Sequence, residues 1–105
     1  MRRVRLVTDS WSCEASRPST FIERLRGLRA EPDDARLLFE TSSVHSLGMT
    51  RSISVVMIDH DLRVIRAQSL LPNRLIYERR ARFILEMPDD TELPAIGARV
   101  EVLDV

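Results

Sequence analysis

Residues Ser43 to Asp61 read SVHSLGMTRSISVVMIDHD, a polar, sulfur-containing segment that runs straight into a nearly continuous apolar strand. Within it, Ser54, Val56 and Ile58 alternate with Ile53, Val55 and Met57, so both faces of an extended chain are apolar. Such a strand has neighbours on each side and a layer over each face, which predicts a central position in a sheet. Asp59 to Arg63 is its hairpin exit, where Asp side chains bond neighbouring backbone.

Outward from this strand the period-two pattern recurs. Val4 and Leu6 alternate with Arg3 and Arg5, and Trp11, Cys13 and Ala15 with Ser10, Ser12 and Glu14, which predicts a hairpin about Thr8-Asp9-Ser10. Further strands are expected at Leu37–Phe39, Val44–Met49, Arg63–Ala67, Arg80–Met87 and Arg99–Leu103. In Arg80–Met87 the alternation puts Arg80, Arg82, Ile84 and Glu86 on one face and Ala81, Phe83, Leu85 and Met87 on the other. One short α-helix is expected over Thr20–Leu28: Thr20-Phe21-Ile22-Glu23 is a capping box, and Phe21, Leu25 and Leu28 follow at helical spacing. The fold class is therefore mainly β, a small antiparallel sandwich or barrel with one helix.

The chain has 105 residues, which fits a single domain over 1–105 with one core. Acidic and basic residues balance at 16 each, so no overall field draws a polyanion, and this argues against a dedicated nucleic-acid binder. Every basic residue is Arg, the codon usage expected of a GC-rich bacterial genome. Cys13 is the lone cysteine, so no intrachain disulfide can form, in keeping with a cytoplasmic location. The longest apolar run, Val55–Ile58, falls far short of the ~18–20 residues of a membrane span. The basic N-terminus lacks the apolar core of a signal peptide.

Thr20, Glu23-Arg24, Arg26-Gly27-Leu28, Leu37-Leu38-Phe39, Ser43-Val44-His45, Gly48-Met49, Ile53, Val55-Val56, Asp59, Asp61, Arg63-Val64, Ala81-Arg82 and Leu85-Glu86 together resemble, in order, the family catalogued as domain of unknown function 192. The resemblance runs over about residues 20–102 and is most specific from Val44 to Asp61. It implies a small β-sandwich or barrel of jelly-roll kind with a short helix, and it carries no established activity. One departure stands at the centre of the pattern: Ser52-Ile53-Ser54 occupies the place where the family usually has Pro, an apolar residue and Asp. A carboxylate is lost there, and Ser54 can take over part of a hydrogen-bonding role.

For function, the residues favour a non-catalytic module binding a small molecule or a protein over an enzyme. The expected ligand-binding residues are His45, Met49, Ser54, Arg74 and Tyr77, at the end where His45–Thr50 meets the irregular Leu70–Tyr77 connection. No catalytic residue and no cofactor is expected. Enzyme alternatives would need a metal at His45, Asp59 and Asp61, or a Cys13 thiol activated by His45. Asp-His-Asp after an apolar strand reads first as a turn, and a Cys alternating with Trp11 and Ala15 reads first as a buried apolar residue. Arg74, Arg79, Arg80 and Arg82 form the densest basic cluster, and the Arg79–Arg82 strand would be the surface for RNA or DNA. Glu78 and Glu86 dilute it, which favours a charged strand edge guarded against pairing. An uncovered edge strand would allow a homodimer.

Overall fold

The computed structural model describes residues 2–18 and 36–105. The helix expected over Thr20–Leu28 lies outside the described residues, among which there is no helix. Among the described residues nine strands form: β1 (Arg2–Val7), β2 (Ser12–Arg17), β3 (Leu37–Phe39), β4 (Ser43–His45), β5 (Ile53–Asp59), β6 (Val64–Leu70), β7 (Leu75–Tyr77), β8 (Ala81–Pro88) and β9 (Glu101–Asp104). Seven of them make one curled sheet in the order β6-β5-β8-β3-β2-β1-β9, while β4 and β7 make a separate two-stranded ribbon.

The predicted β1–β2 hairpin is present, in the register Leu6↔Cys13 and Val4↔Ala15. β5 sits between β6 and β8, and its residues Ile53 to Ile58 are all buried, as the doubly apolar pattern requires. The wholly antiparallel expectation fails at one junction, since β2 pairs with β3 in parallel through Ser16 and Leu37. β2 and β3 are well separated in sequence, and strands that are not joined by a short hairpin loop are free to pair in parallel.

Two apolar clusters lie on opposite faces of the sheet. The concave face gathers Val4, Leu6, Trp11, Leu38, Val56, Ile58, Phe83, Leu85 and Met87. The convex face gathers Ile53, Val55, Met57, Leu70, Ala81 and Ile84, with Val44 and Ile76 of the ribbon laid over them. The β4–β7 ribbon is therefore the second layer that β5 needs to bury its other face.

Two bulges correct the simple alternation. Between β5 and β8 the pairing passes from Ile58↔Phe83 to Asp59↔Ala81, so Arg82 is the extra residue and Ala81 moves to the face of Ile84. A second bulge places Ile65 between Met57↔Arg66 and Ile58↔Val64. Each extra residue bends its strand and curls the sheet. The two edges then meet at one end: the Val64 amide donates to the Ala98 carbonyl (2.9 Å), Gly97 to Val64 (2.7 Å) and Val100 to Leu62 (2.7 Å). The result is a half-barrel with one end laced shut. Gly97 makes the required turn at φ 88°, which an L side chain rarely adopts.

Candidate functional site

The ribbon holds most of the expected binding residues. Its register is Ser43↔Tyr77, Val44↔Ile76 and His45↔Leu75, so Val44 and Ile76 face the convex cluster while Ser43, His45, Leu75 and Tyr77 face outward. β7 was not expected as a strand. Its signal was present as Pro72-Asn73 between Leu70-Leu71 and Leu75-Ile76-Tyr77, but three residues are too few for alternation to speak.

The end of the ribbon is built around Ser46, which the sequence did not single out. Its side chain is fully buried, and its hydroxyl donates to the Leu71 carbonyl while accepting from the Arg74 amide (3.0 Å). Its own amide donates to the Arg74 carbonyl, and its carbonyl accepts from Asn73 (both 2.9 Å) and from Met49 (3.1 Å). The Asn73 side-chain oxygen then accepts from the Gly48 amide (2.9 Å). Gly48 and Asn73 both have positive φ, 79° and 60°, conformations suited to Gly and Asn. The segments after β4 and before β7 are thus tied into one rigid tip.

Around this tip the apolar side chains stay in solvent: Leu47, Leu71, Leu75 and Tyr77 are 53%, 56%, 67% and 66% exposed. His45 and Arg74 are exposed beside them, with the His45 Nδ1 accepting from the Leu47 amide (3.4 Å) and an Arg74 guanidinium nitrogen donating to the Asn73 carbonyl (3.4 Å). His45, Arg74 and Tyr77 therefore share the ribbon. Met49 lies under it, packed on the convex cluster. Ser54 does not join them. It is buried with its alternation partner Met87 on the concave side, and its hydroxyl donates to Asp89 (3.3 Å), which also accepts from Ser69 (2.7 Å).

The residues of the enzyme alternatives are occupied otherwise. The Asp59 carboxylate accepts from the amides of Asp61 and Arg63 (both 2.9 Å), which makes this stretch a side-chain-stapled turn. Among the described residues no group of three or more His, Cys, Asp or Glu is arranged to hold a metal ion. Cys13 packs against the concave cluster, with the sheet between it and the ribbon that carries His45. Burial pushes its thiol up to about 11, against the pull of Arg36 and Arg3. Cys13 should accordingly react with iodoacetamide about a hundredfold more slowly than an ordinary thiol at neutral pH, as followed by mass spectrometry.

The basic cluster is divided. Arg80 is forked onto Glu78 (both contacts 3.2 Å), which holds the Glu78 carboxyl below its usual range, whereas Arg82 is turned by the bulge toward Glu40 (3.9 Å) and the Phe83 ring. No continuous arginine strip remains along Arg79–Arg82.

The geometry defines a small all-β half-barrel covered on its convex face by a two-stranded ribbon with an exposed apolar tip. The chain is 36% identical over 87 residues to a UPF0127 protein from Pyrococcus horikoshii, an alignment covering 75% of this chain and 76% of the relative. It belongs to the UPF0127 family, which is uncharacterised. No family model matches the chain. Two crystal structures share the fold. One is a candidate transcription regulator from Sinorhizobium meliloti (TM-score 0.67, 20% identity, covering 96% of this chain and 92% of that one). The other is a protein of unknown function from Novosphingobium aromaticivorans (TM-score 0.64, 14% identity, 94% and 83%). No helix among the described residues is long and apolar enough to cross a membrane.

Proposed function

We propose that the chain is a non-catalytic protein-binding module that docks an extended, acidic and apolar segment of a partner on the outer face of the β4–β7 ribbon. The observation that carries this reading is the pinned tip bearing Leu47, Leu71, Leu75 and Tyr77, each more than half exposed. A face of this kind, apolar and rigid, is what partner surfaces present, because it gains burial on docking and loses little conformational freedom. β4 and β7 pair only with each other among the described residues, so each leaves an edge able to accept an added strand. The charges of the ribbon's segments choose the partner: Arg74 and Arg79 are basic, and Glu78, the one acid in residues 43–50 and 70–80, is held by Arg80. A partner with carboxylates between its apolar residues complements this rim.

The same free edges favour one second reading, a symmetric dimer, although two copies would bring basic rims together. We further infer that domain of unknown function 192 and UPF0127 describe one family, on the strength of the residues from Val44 to Asp61.

The test is fluorescence anisotropy with a labelled peptide alternating Leu with Glu, and with its counterpart carrying Lys for Glu. The Glu peptide is expected to bind, and Leu75→Asp and Arg74→Glu should each weaken it at least about tenfold, with melting temperature nearly unchanged because both side chains are exposed. Equal binding of the two peptides, or unchanged affinity in both variants, sinks the proposal. A concentration-dependent dimer in sedimentation, lost in Leu75→Asp, would replace it with the second reading.

A further inference from the structure

The concave side of the half-barrel carries a second feature, which shares no residue with the ribbon. Where β1, β2, β8 and β9 splay at the mouth of the half-barrel there is a cleft of about 640 Å³, within the ~300–1,000 Å³ range of small-molecule pockets. Its lining includes Arg2, Arg17, Arg82, Phe83, Leu62 and Val102.

Four arginines line the cleft, and the arrangement of three of them, Arg2, Arg17 and Arg82, is unusual. Arg2 and Arg17 are directly opposite one another across β1 and β2, on the face that carries Val4, Leu6 and Ala15. Like charges so placed destabilise a sheet. Arg82 is brought to the same place by the β8 bulge. The Arg17 and Arg82 guanidiniums both lie over the one Phe83 ring, 5.2 and 4.8 Å from its centre. Glu40 takes one contact from each, 3.0 Å from Arg17 and 3.9 Å from Arg82, and Asp104 stands 3.6 Å from Arg2. Among the described residues these three guanidiniums meet two carboxylates, which leaves one positive charge and most of the N–H donors over.

The other charged residues that line the cleft are Arg99, Asp9 and Glu101. Val102 packs on the concave cluster, so alternation turns Glu101 to the other face of β9, and Asp9 is in the exposed β1–β2 turn. The Arg17 side chain is 25% exposed and that of Arg82 41%, half-sheltered positions in which charge is less screened than on open surface. Stacking on Phe83 fixes the guanidinium planes in advance, so a planar anion would meet donors already oriented.

We propose that this mouth is a binding site for a small organic anion, its carboxylate or phosphate forked between Arg17 and Arg82 beside Arg2, and its apolar body resting on Leu62 and Val102. None of the site's residues belongs to the ribbon.

The test is an NMR titration of the arginine Nε–Hε resonances with benzoate and with phenyl phosphate. Saturable shifts are expected at Arg17 and Arg82 for at least one probe, with a dissociation constant at or below about 1 mM, and none at Arg74. The probe that saturates names the headgroup. Arg17→Gln should weaken binding about tenfold or more, the scale of a lost charge-assisted bond. Arg2→Gln should weaken it in the same sense, and its side chain, 57% exposed, makes unfolding no explanation. Leu75→Asp should bind the probe as the unaltered protein does. Shifts that grow without saturating, equal shifts at Arg74, or unchanged binding in both Gln variants would overturn the proposal.

Discussion

Replacing Glu86 with Gln is expected to stabilise the protein by about 3 kcal/mol near pH 8 and to change little below about pH 4.5. Glu86 lies mid-β8, between Leu37 of β3 and Val55 of β5, so apolar strands flank it on both sides. Burial pushes its carboxyl from 4.5 up to about 7, and it has no hydrogen bond or ion pair among the described residues. As the pH rises past 4.5 the unfolded chain ionises at this position while the folded chain keeps its proton. Stability from this group is therefore full below the unfolded value, declines as pH climbs, and is lost once pH passes about 7. A difference of some 2.5 units at about 1.4 kcal/mol each gives the expected size. Gln carries no charge at any pH, so its stability should not fall across that window. Urea unfolding at several pH values between about 4 and 9 checks this. Parallel stability profiles for the two proteins would show that Glu86 does not titrate across the folding transition. Glu78 acts in the opposite direction, since its lowered folded value loses stability only as pH falls. Its effect lies on the acid side and leaves the Glu86 window distinct.

How much of this was legible in the sequence depended on whether a property was local. The β1–β2 hairpin follows from alternation on either side of Thr8-Asp9-Ser10, and the central place of β5 follows from its two apolar faces. Period two reports which residues share a face, but not which strand lies beside which. Hence the β5–β8 and β3–β8 pairings, the parallel β2–β3 contact and the lacing of Leu62–Val64 to Gly97–Val100 were hidden. The bulge at Arg82 was hidden for the same reason, since the extra residue is extra only relative to a partner. It moved Ala81 to the other face and carried Arg82 out of the basic cluster to Phe83. Of the expected binding residues, the structure places His45, Arg74 and Tyr77 together because they flank one tip. Ser54 lies apart from them, because proximity in sequence to that tip does not fix on which side of the sheet a β5 residue is buried.

Ser46→Ala is the substitution that should separate the ribbon from the half-barrel beneath it. The alanine keeps the backbone bonds to Arg74, Asn73 and Met49 but deletes the hydroxyl that serves the Leu71 carbonyl and the Arg74 amide. Both groups sit at a side chain that is fully buried, so water does not readily replace it. Leaving a buried polar group unpaired costs about 1–3 kcal/mol, and since both bonds here are only part-buried the expected loss for the two groups together is about 2 kcal/mol. The ribbon has three residues in each strand and borrows its stability from Val44 and Ile76 on the convex cluster, so the loss should appear there first. Amide exchange at Asn73 and Arg74 should accelerate by about thirtyfold or more, while Val55, Val56 and Met57 of β5 change much less. Equal acceleration in β5 would mean that ribbon and half-barrel open as one unit, and unchanged exchange would mean that another donor fills the place of the hydroxyl. The expected pattern also bears on docking. If the tip must be rigid to bind, Ser46→Ala should weaken the Leu–Glu peptide although residue 46 presents no side chain to solvent, and the loss should be larger at higher temperature, where the ribbon opens more often.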